Sequence, residues 1–173
     1  MVNGRLSSRP LTENIPRREW ASIGRCSSIV DDSIAWYEND GAADPSFSAA
    51  NIATSADAAS YVIAVDIDND GDMDIISTSH YDDAVSYYIN NGASDPSWSA
   101  SDITTSFDMP TSVSAADLDG DGDMDLALAS MNDDKVSWFE NGLSAFGNPS
   151  FSATNIATSA DWARDVIAAD LDS

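Results

Sequence analysis

Two nine-residue stretches carry the side chains best suited to chemistry. Asp66–Asp74 reads DIDNDGDMD and Asp117–Asp125 reads DLDGDGDMD. Each places aspartate at positions 1, 3, 5, 7 and 9, with Gly71 or Gly122 at position 6. Alternate carboxylates converge on one point only where the chain curls tightly, and glycine permits that curl. So many like charges in so short a span repel unless a cation sits among them. Ca2+ is a hard cation that takes roughly six to eight oxygens at about 2.3–2.6 Å, which carboxylates and a backbone carbonyl supply. Mg2+ prefers to keep its waters, and Zn2+ favours His and Cys, which neither loop contains. In the first loop the expected side-chain ligands are Asp66, Asp68, Asp70 and Asp74, with the backbone carbonyl of Asp72. In the second they are Asp117, Asp119, Asp121 and Asp125, with the carbonyl of Asp123. The competing reading is a solvated acidic turn without an ion, which is disfavoured because the pattern recurs with its glycine fixed.

Helix-flanked calcium loops also use DxDxDG, but they need an acid at position 12. Here that position holds Ser77 or Leu128. The residues that follow, MDIISTS and MDLALAS, read as strand. The elements around the loops must therefore be strands.

Those elements repeat. Asp31–Gly41 (DDSIAWYENDG), Asp82–Gly92 (DDAVSYYINNG) and Asp133–Gly142 (DDKVSWFENG) form one series. Pro45–Thr54, Pro96–Thr105 and Pro149–Thr158 form another, PSFSAANIAT, PSWSASDITT and PSFSATNIAT. The period of about 50 residues fits one four-stranded propeller blade. The strands expected in the central repeat are Tyr61–Ile67, Asp74–Ser79, Ala84–Asn90 and Trp98–Thr105. The expected fold is all-β: four-stranded antiparallel blades of a partial propeller, about three in number. Residues 29–54 should form a partial blade, 55–105 and 106–158 complete blades, and 159–173 the first strand of a truncated next blade.

With these motifs, the chain resembles the FG-GAP/VCBS repeat family, which includes the integrin α-subunit propeller. The resemblance runs over roughly residues 31–173. It implies calcium in the loop joining a blade's first two strands, a secreted or cell-surface setting, and a role in adhesion or ligand binding.

Composition narrows the partners. The formal net charge is -23, with only 7 Lys and Arg. That argues against nucleic acid, whose phosphates select basic surfaces, and against anionic membranes. No apolar run is long enough for membrane insertion. Five of the basic residues, Arg5, Arg9, Arg17, Arg18 and Arg25, lie near the start. The repeat calls for an acidic loop near Ile15–Ile23, yet that stretch reads IPRREWASI. Residues 1–28 are thus expected to be an off-pattern, non-native or disordered segment. The cut-off loop at Asp170 and Asp172 adds to the reading of the chain as a fragment, whose open blade edges invite self-association. The single cysteine, Cys26, excludes an internal disulfide.

The recurring aromatic sets Trp36, Tyr87, Trp138 and Phe47, Trp98, Phe151 point to packing between blades. Trp162 stands where the other repeats have Ala58 and Met109. With Arg164 it forms the expected ligand surface, for an extracellular protein or a glycan, on the face away from the acidic loops. His80, the only histidine, has no nucleophile and base assembled around it in sequence, so no enzymatic role is expected. The alternatives are a carbohydrate-binding propeller module of a secreted enzyme, or a fragment without independent function.

Overall fold

The computed structural model describes residues 32–40, 42–44, 46–143 and 147–169. Residues 1–28, Ile15–Ile23, Cys26, Asp170 and Asp172 lie outside the described residues. Among the described residues, ten strands fall into three antiparallel sheets. β1 (Ile34–Asn39) pairs with β2 (Phe47–Ala53). β3 (Ala59–Val65), β4 (Asp74–Ser79), β5 (Ala84–Asn90) and β6 (Trp98–Thr104) form a four-stranded meander. β7 (Pro110–Ala116), β8 (Asp125–Ser130), β9 (Lys135–Asn141) and β10 (Phe151–Ala157) form a second. No helix occurs among the described residues. The architecture is that of consecutive propeller blades, two of them complete.

Packing between blades follows from the two-residue period of a strand. Along β4, Ile75 faces back towards β1 and β2, where it clusters with Ile34, Ala59 and Tyr88. Its neighbour Ile76 faces forward and joins Val65, Ile67, Val85, Val113, Leu126, Leu128 and Phe139. β4 is therefore buried on both faces, which explains its unbroken apolar and small-residue run. Three of the recurring aromatics enter these interfaces. Tyr87 and Phe151 pack against the forward cluster at a ring separation of 6.4 Å, and Trp98 packs against the other cluster. Phe47, by contrast, is exposed.

The inner strand differs from its expected span, running Ala59–Val65 rather than Tyr61–Ile67. Asp66 curls back onto its own loop, and the Ile67 N–H is taken by the Asp74 carboxylate, so both residues leave the ladder. Residues 159–169, expected to supply a first strand, take no strand assignment. They run beside β7, with Val166 and Ala168 N–H groups donating to the Ser112 and Ser114 hydroxyls. Among the described residues no later strand follows to complete a ladder there.

Each inner strand is also joined directly to the chain that runs beside it. Ser60 Oγ donates to the Pro110 carbonyl at 3.2 Å, and Thr111 Oγ1 to the Ala163 carbonyl at 3.0 Å. Such hydroxyl-to-carbonyl links fix the spacing of blades where the strands themselves do not pair.

Candidate metal centre

Each acidic loop connects the first strand of a blade to the second, β3 to β4 and β7 to β8. The loops begin where the strand ladder ends, at Val65↔Asp74 and Ala116↔Asp125. Their backbone is held by their own carboxylates. Asp66 accepts from Asp70 N at 3.1 Å and Gly71 N at 3.0 Å; Asp117 accepts from Gly120 N at 2.7 Å and Gly122 N at 3.1 Å. Asp70 accepts from Asp72 N, and Asp121 from Asp123 N. Gly71 and Gly122 have φ of 93° and 98°, a region that disfavours any side chain. The curl demanded by spacing alone is thus present in both loops.

Asp74 and Asp125 form the floor. Both are fully buried. Asp74 accepts from Ile67 N at 3.0 Å and Asn90 N at 2.8 Å, and Asp125 from Leu118 N at 3.1 Å and Asn141 N at 2.8 Å. Each floor carboxylate therefore ties the loop to the end of the blade's third strand. Burial pushes Asp74 up to about 6, against the two backbone N–H groups that favour its charged form. Burial also raises Asp68, with the Asp70 charge adding to it, and desolvation raises Asp119.

One oxygen each from Asp66, Asp68 and Asp74 lie within 4.8 Å of one another, as do oxygens from Asp117, Asp119 and Asp121. Oxygens around one Ca2+ sit at most about 5 Å apart, twice the metal–oxygen distance. The donor set is all oxygen and fits a hard cation. Asp70 stands outside the first trio and Asp125 outside the second. The Asp123 side chain turns away, accepting from Leu143 N and from Asn69 Nδ2. Its carboxylate is spent on neighbouring loops, which leaves its backbone carbonyl as the group it could offer.

The two sites differ in cover. Asp66 and Asp68 are half-buried, whereas Asp117, Asp119 and Asp121 are exposed. The loop after β9 reaches over the first site: a Cβ on Gly147 would lie 3.7 Å from the Asp68 carbonyl oxygen.

Trp162 and Arg164 lie at the opposite end of the blades, since the connection into an inner strand and the acidic loop leaving it sit at opposite strand ends. Trp162 is 62% exposed, with the Arg164 guanidinium 5.8 Å from its ring centroid.

Sequence reasoning quoted the Asp82-Asp83 and Asp133-Asp134 pairs without giving them a role. In the structure they latch blades together. Asp32 accepts from Ala58 N, Asp83 from Met109 N and Asp134 from Trp162 N, at 3.3, 3.2 and 3.0 Å. All six of these residues have positive φ. The aspartates recur in register, but their partners, 26 to 28 residues on, are an alanine, a methionine and a tryptophan that carry no sequence signal for the contact. The backbone N–H of His80 serves the same junction, donating to the Ala58 carbonyl as that of Met131 does to Met109.

These features define a segment of β-propeller blades carrying paired acidic loops. Models of the FG-GAP-like repeat match residues 26–77 and 66–128, and that of the FG-GAP repeat matches residues 109–152. The chain belongs to the FG-GAP repeat family, whose members are typically non-catalytic. No curated protein and no solved structure matches it.

Proposed function

We propose that this chain is a calcium-stabilised propeller segment of a secreted or cell-surface protein, acting in adhesion or ligand binding and without catalytic activity. Calcium is structural in this reading. One ion is held by Asp66, Asp68, Asp70 and Asp74 with the Asp72 carbonyl, and the other by Asp117, Asp119, Asp121 and Asp125 with the Asp123 carbonyl. The observation that carries the reading is the convergence of three carboxylates within 4.8 Å in each of two loops with the same backbone curl. A bound cation offsets the repulsion among these carboxylates and braces the first strand pair of the blade. Calorimetric titration of the full chain should find two calcium ions. Asp66→Ala and Asp117→Ala should each remove one, and calcium should raise the melting temperature while EDTA lowers it. Wild-type chain that takes up no calcium at millimolar concentration would refute the proposal.

A recognition surface at Trp162 and Arg164 is favoured by the exposure of an indole beside a guanidinium, a pair able to stack on a sugar or a peptide side chain. Glycan-array binding lost in Trp162→Ala, with the melting temperature unchanged, is the expected result. Binding that survives the substitution would place recognition elsewhere.

A further inference from the structure

The first acidic loop is built partly by the blade that follows it. Asn69, at position 4 of the first loop, donates from Nδ2 to Asp123 Oδ1 at 2.8 Å, with the Gly122 carbonyl 3.5 Å from the same nitrogen. Both partners belong to the second loop. A separate path runs through Asn141 at the end of β9. Its backbone N–H donates to Asp125 Oδ1, and its side-chain amide donates to the carbonyls of Met124 and Ile67, each at 3.1 Å. Ile67 lies in the first loop, whereas Met124 and Asp125 belong to the second. Asn141 is fully buried. A carboxylate on the floor of the second loop therefore holds a residue whose amide holds the backbone of the first.

Position 4 shows that this link is particular to one loop. Asn69 has φ of 59°, and its equivalent Gly120 has φ of 81°. Glycine meets the backbone requirement without strain, so the asparagine amide is not needed to form the curl. What Asn69 adds is the bond to the neighbouring loop.

We propose that the two acidic loops are energetically coupled through Asn69 and Asn141, so that a cation bound in one raises the affinity of the other. This rests on the calcium reading above. An ion in the second loop fixes Asp125 and the backbone carbonyl of Asp123. It thereby fixes the acceptor of Asn69 and the anchor of Asn141, and the first loop is ordered before its own ion arrives. Linkage makes the effect reciprocal. Repulsion between the two cations opposes it. That term acts between a half-buried and an exposed site and is screened over about 8 Å at physiological ionic strength wherever solvent lies between them, whereas the hydrogen-bonded path is short-range and partly buried.

The test is a thermodynamic cycle in full-length chains at about 0.15 M salt, near the screening length just used. Calcium calorimetry on Asp117→Ala gives the constant of the first loop alone, and Asp66→Ala that of the second alone. The overall two-ion constant of the wild type, divided by their product, is the coupling factor. It should be about five- to tenfold, within the usual range for coupled sites. In the Asn69→Gly background the same cycle should give a factor reduced at least about threefold, with single-loop constants within about twofold of their parents. A wild-type factor near one overturns the coupling, and an undiminished factor in Asn69→Gly overturns its path through Asn69. If a single-loop variant fails to fold, the wild type and Asn69→Gly still decide. The wild type should bind two ions with a steeper isotherm; identical isotherms overturn the path through Asn69, and a wild-type isotherm of two independent sites overturns the coupling. Wild-type chain that binds no calcium sinks the calcium reading itself, a distinct result from two ions bound independently.

Discussion

Asp74→Ala separates two roles of one carboxylate. In the calcium-free chain Asp74 only braces the loop. Its removal orphans the Ile67 and Asn90 N–H groups, at about 1–3 kcal/mol for each buried donor left unpaired. Its removal also relieves the burial of a charge. A carboxyl pushed to about 6 from its ordinary 3.8, the net of burial, neighbouring charge and its two N–H bonds, carries a penalty of roughly 3 kcal/mol for its charge at pH 7. The two effects nearly offset, so the calcium-free variant should lie between about 1 kcal/mol more stable and about 3 kcal/mol less stable than wild type. With calcium the balance tips. At a concentration about a hundred times the dissociation constant, a site adds about 2.7 kcal/mol to the wild type. For a loop of the extracellular affinity class that means about 10–100 mM calcium. A variant that has lost its ligand gains none of this. Urea unfolding at pH 7 and constant ionic strength, with calcium and with EDTA, measures the difference. The penalty of Asp74→Ala should be about 2.7 kcal/mol larger with calcium. An equal penalty in both conditions would refute Asp74 as a ligand while leaving its bracing role intact.

Calcium-free chain should respond to pH in the direction set by Asp74. Its raised value means that the contribution is fully present below about pH 4 and is lost as pH rises through about 6, so the melting temperature without calcium should fall across that interval. Asp57, Asp68 and Asp119 are raised as well and act in the same sense, whereas Asp40, held low by Ser46 and Ala42, runs the other way. Gly92→Ala should lower the melting temperature more than Gly120→Ala. Both force alanine into positive φ, at about 1–2 kcal/mol, but only at Gly92 would the new Cβ collide with a carboxylate, that of Asp72. At the latch, Asp83→Ala should cost about 1–2 kcal/mol in urea unfolding by orphaning Met109 N, while Asp83→Asn, which keeps an oxygen acceptor and tolerates positive φ, should be near neutral. Equal losses in the two variants would remove the hydrogen bond as the reason for the aspartate.

Repetition made the blades legible. β4 and β5 begin and end where the sequence placed them because hard signals bound them, Asp74 at one end and the Asp82-Asp83 turn between them. The inner strand was misplaced by two residues because the alternation of apolar residues runs on through Val65 to Ile67, across Asp66. What ends the strand is a hydrogen bond from Ile67 N to a carboxylate seven residues on. The curl of the acidic loops was readable because alternation and glycine encode it locally. The latch was not, since it depends on left-handed backbone at Ala58, Met109 and Trp162, three residue types with no preference for it. Asn141 was overlooked for a related reason. In sequence it is half of an Asn-Gly turn, and only the neighbouring blade reveals that its amide reaches Ile67.

Aspartate is used in two ways at the two ends of each blade, and the difference explains why only one end invites a metal. At the latch end, Asp32, Asp83 and Asp134 each spend an oxygen on one N–H group across a blade junction. At the loop end the carboxylates are gathered three to a point, and their backbone hydrogen bonds fix the curl without neutralising the charge that the curl concentrates. Hydrogen bonds within a loop cannot remove that repulsion, because every donor they use is a neutral amide. A cation can, and two of them would offset four of the 23 net negative charges where those charges are most crowded. With calcium bound as proposed, the acidic loops would be the part of the fold whose stability is set by the medium rather than by packing, and the links through Asn69 and Asn141 would pass that dependence from one blade to the next.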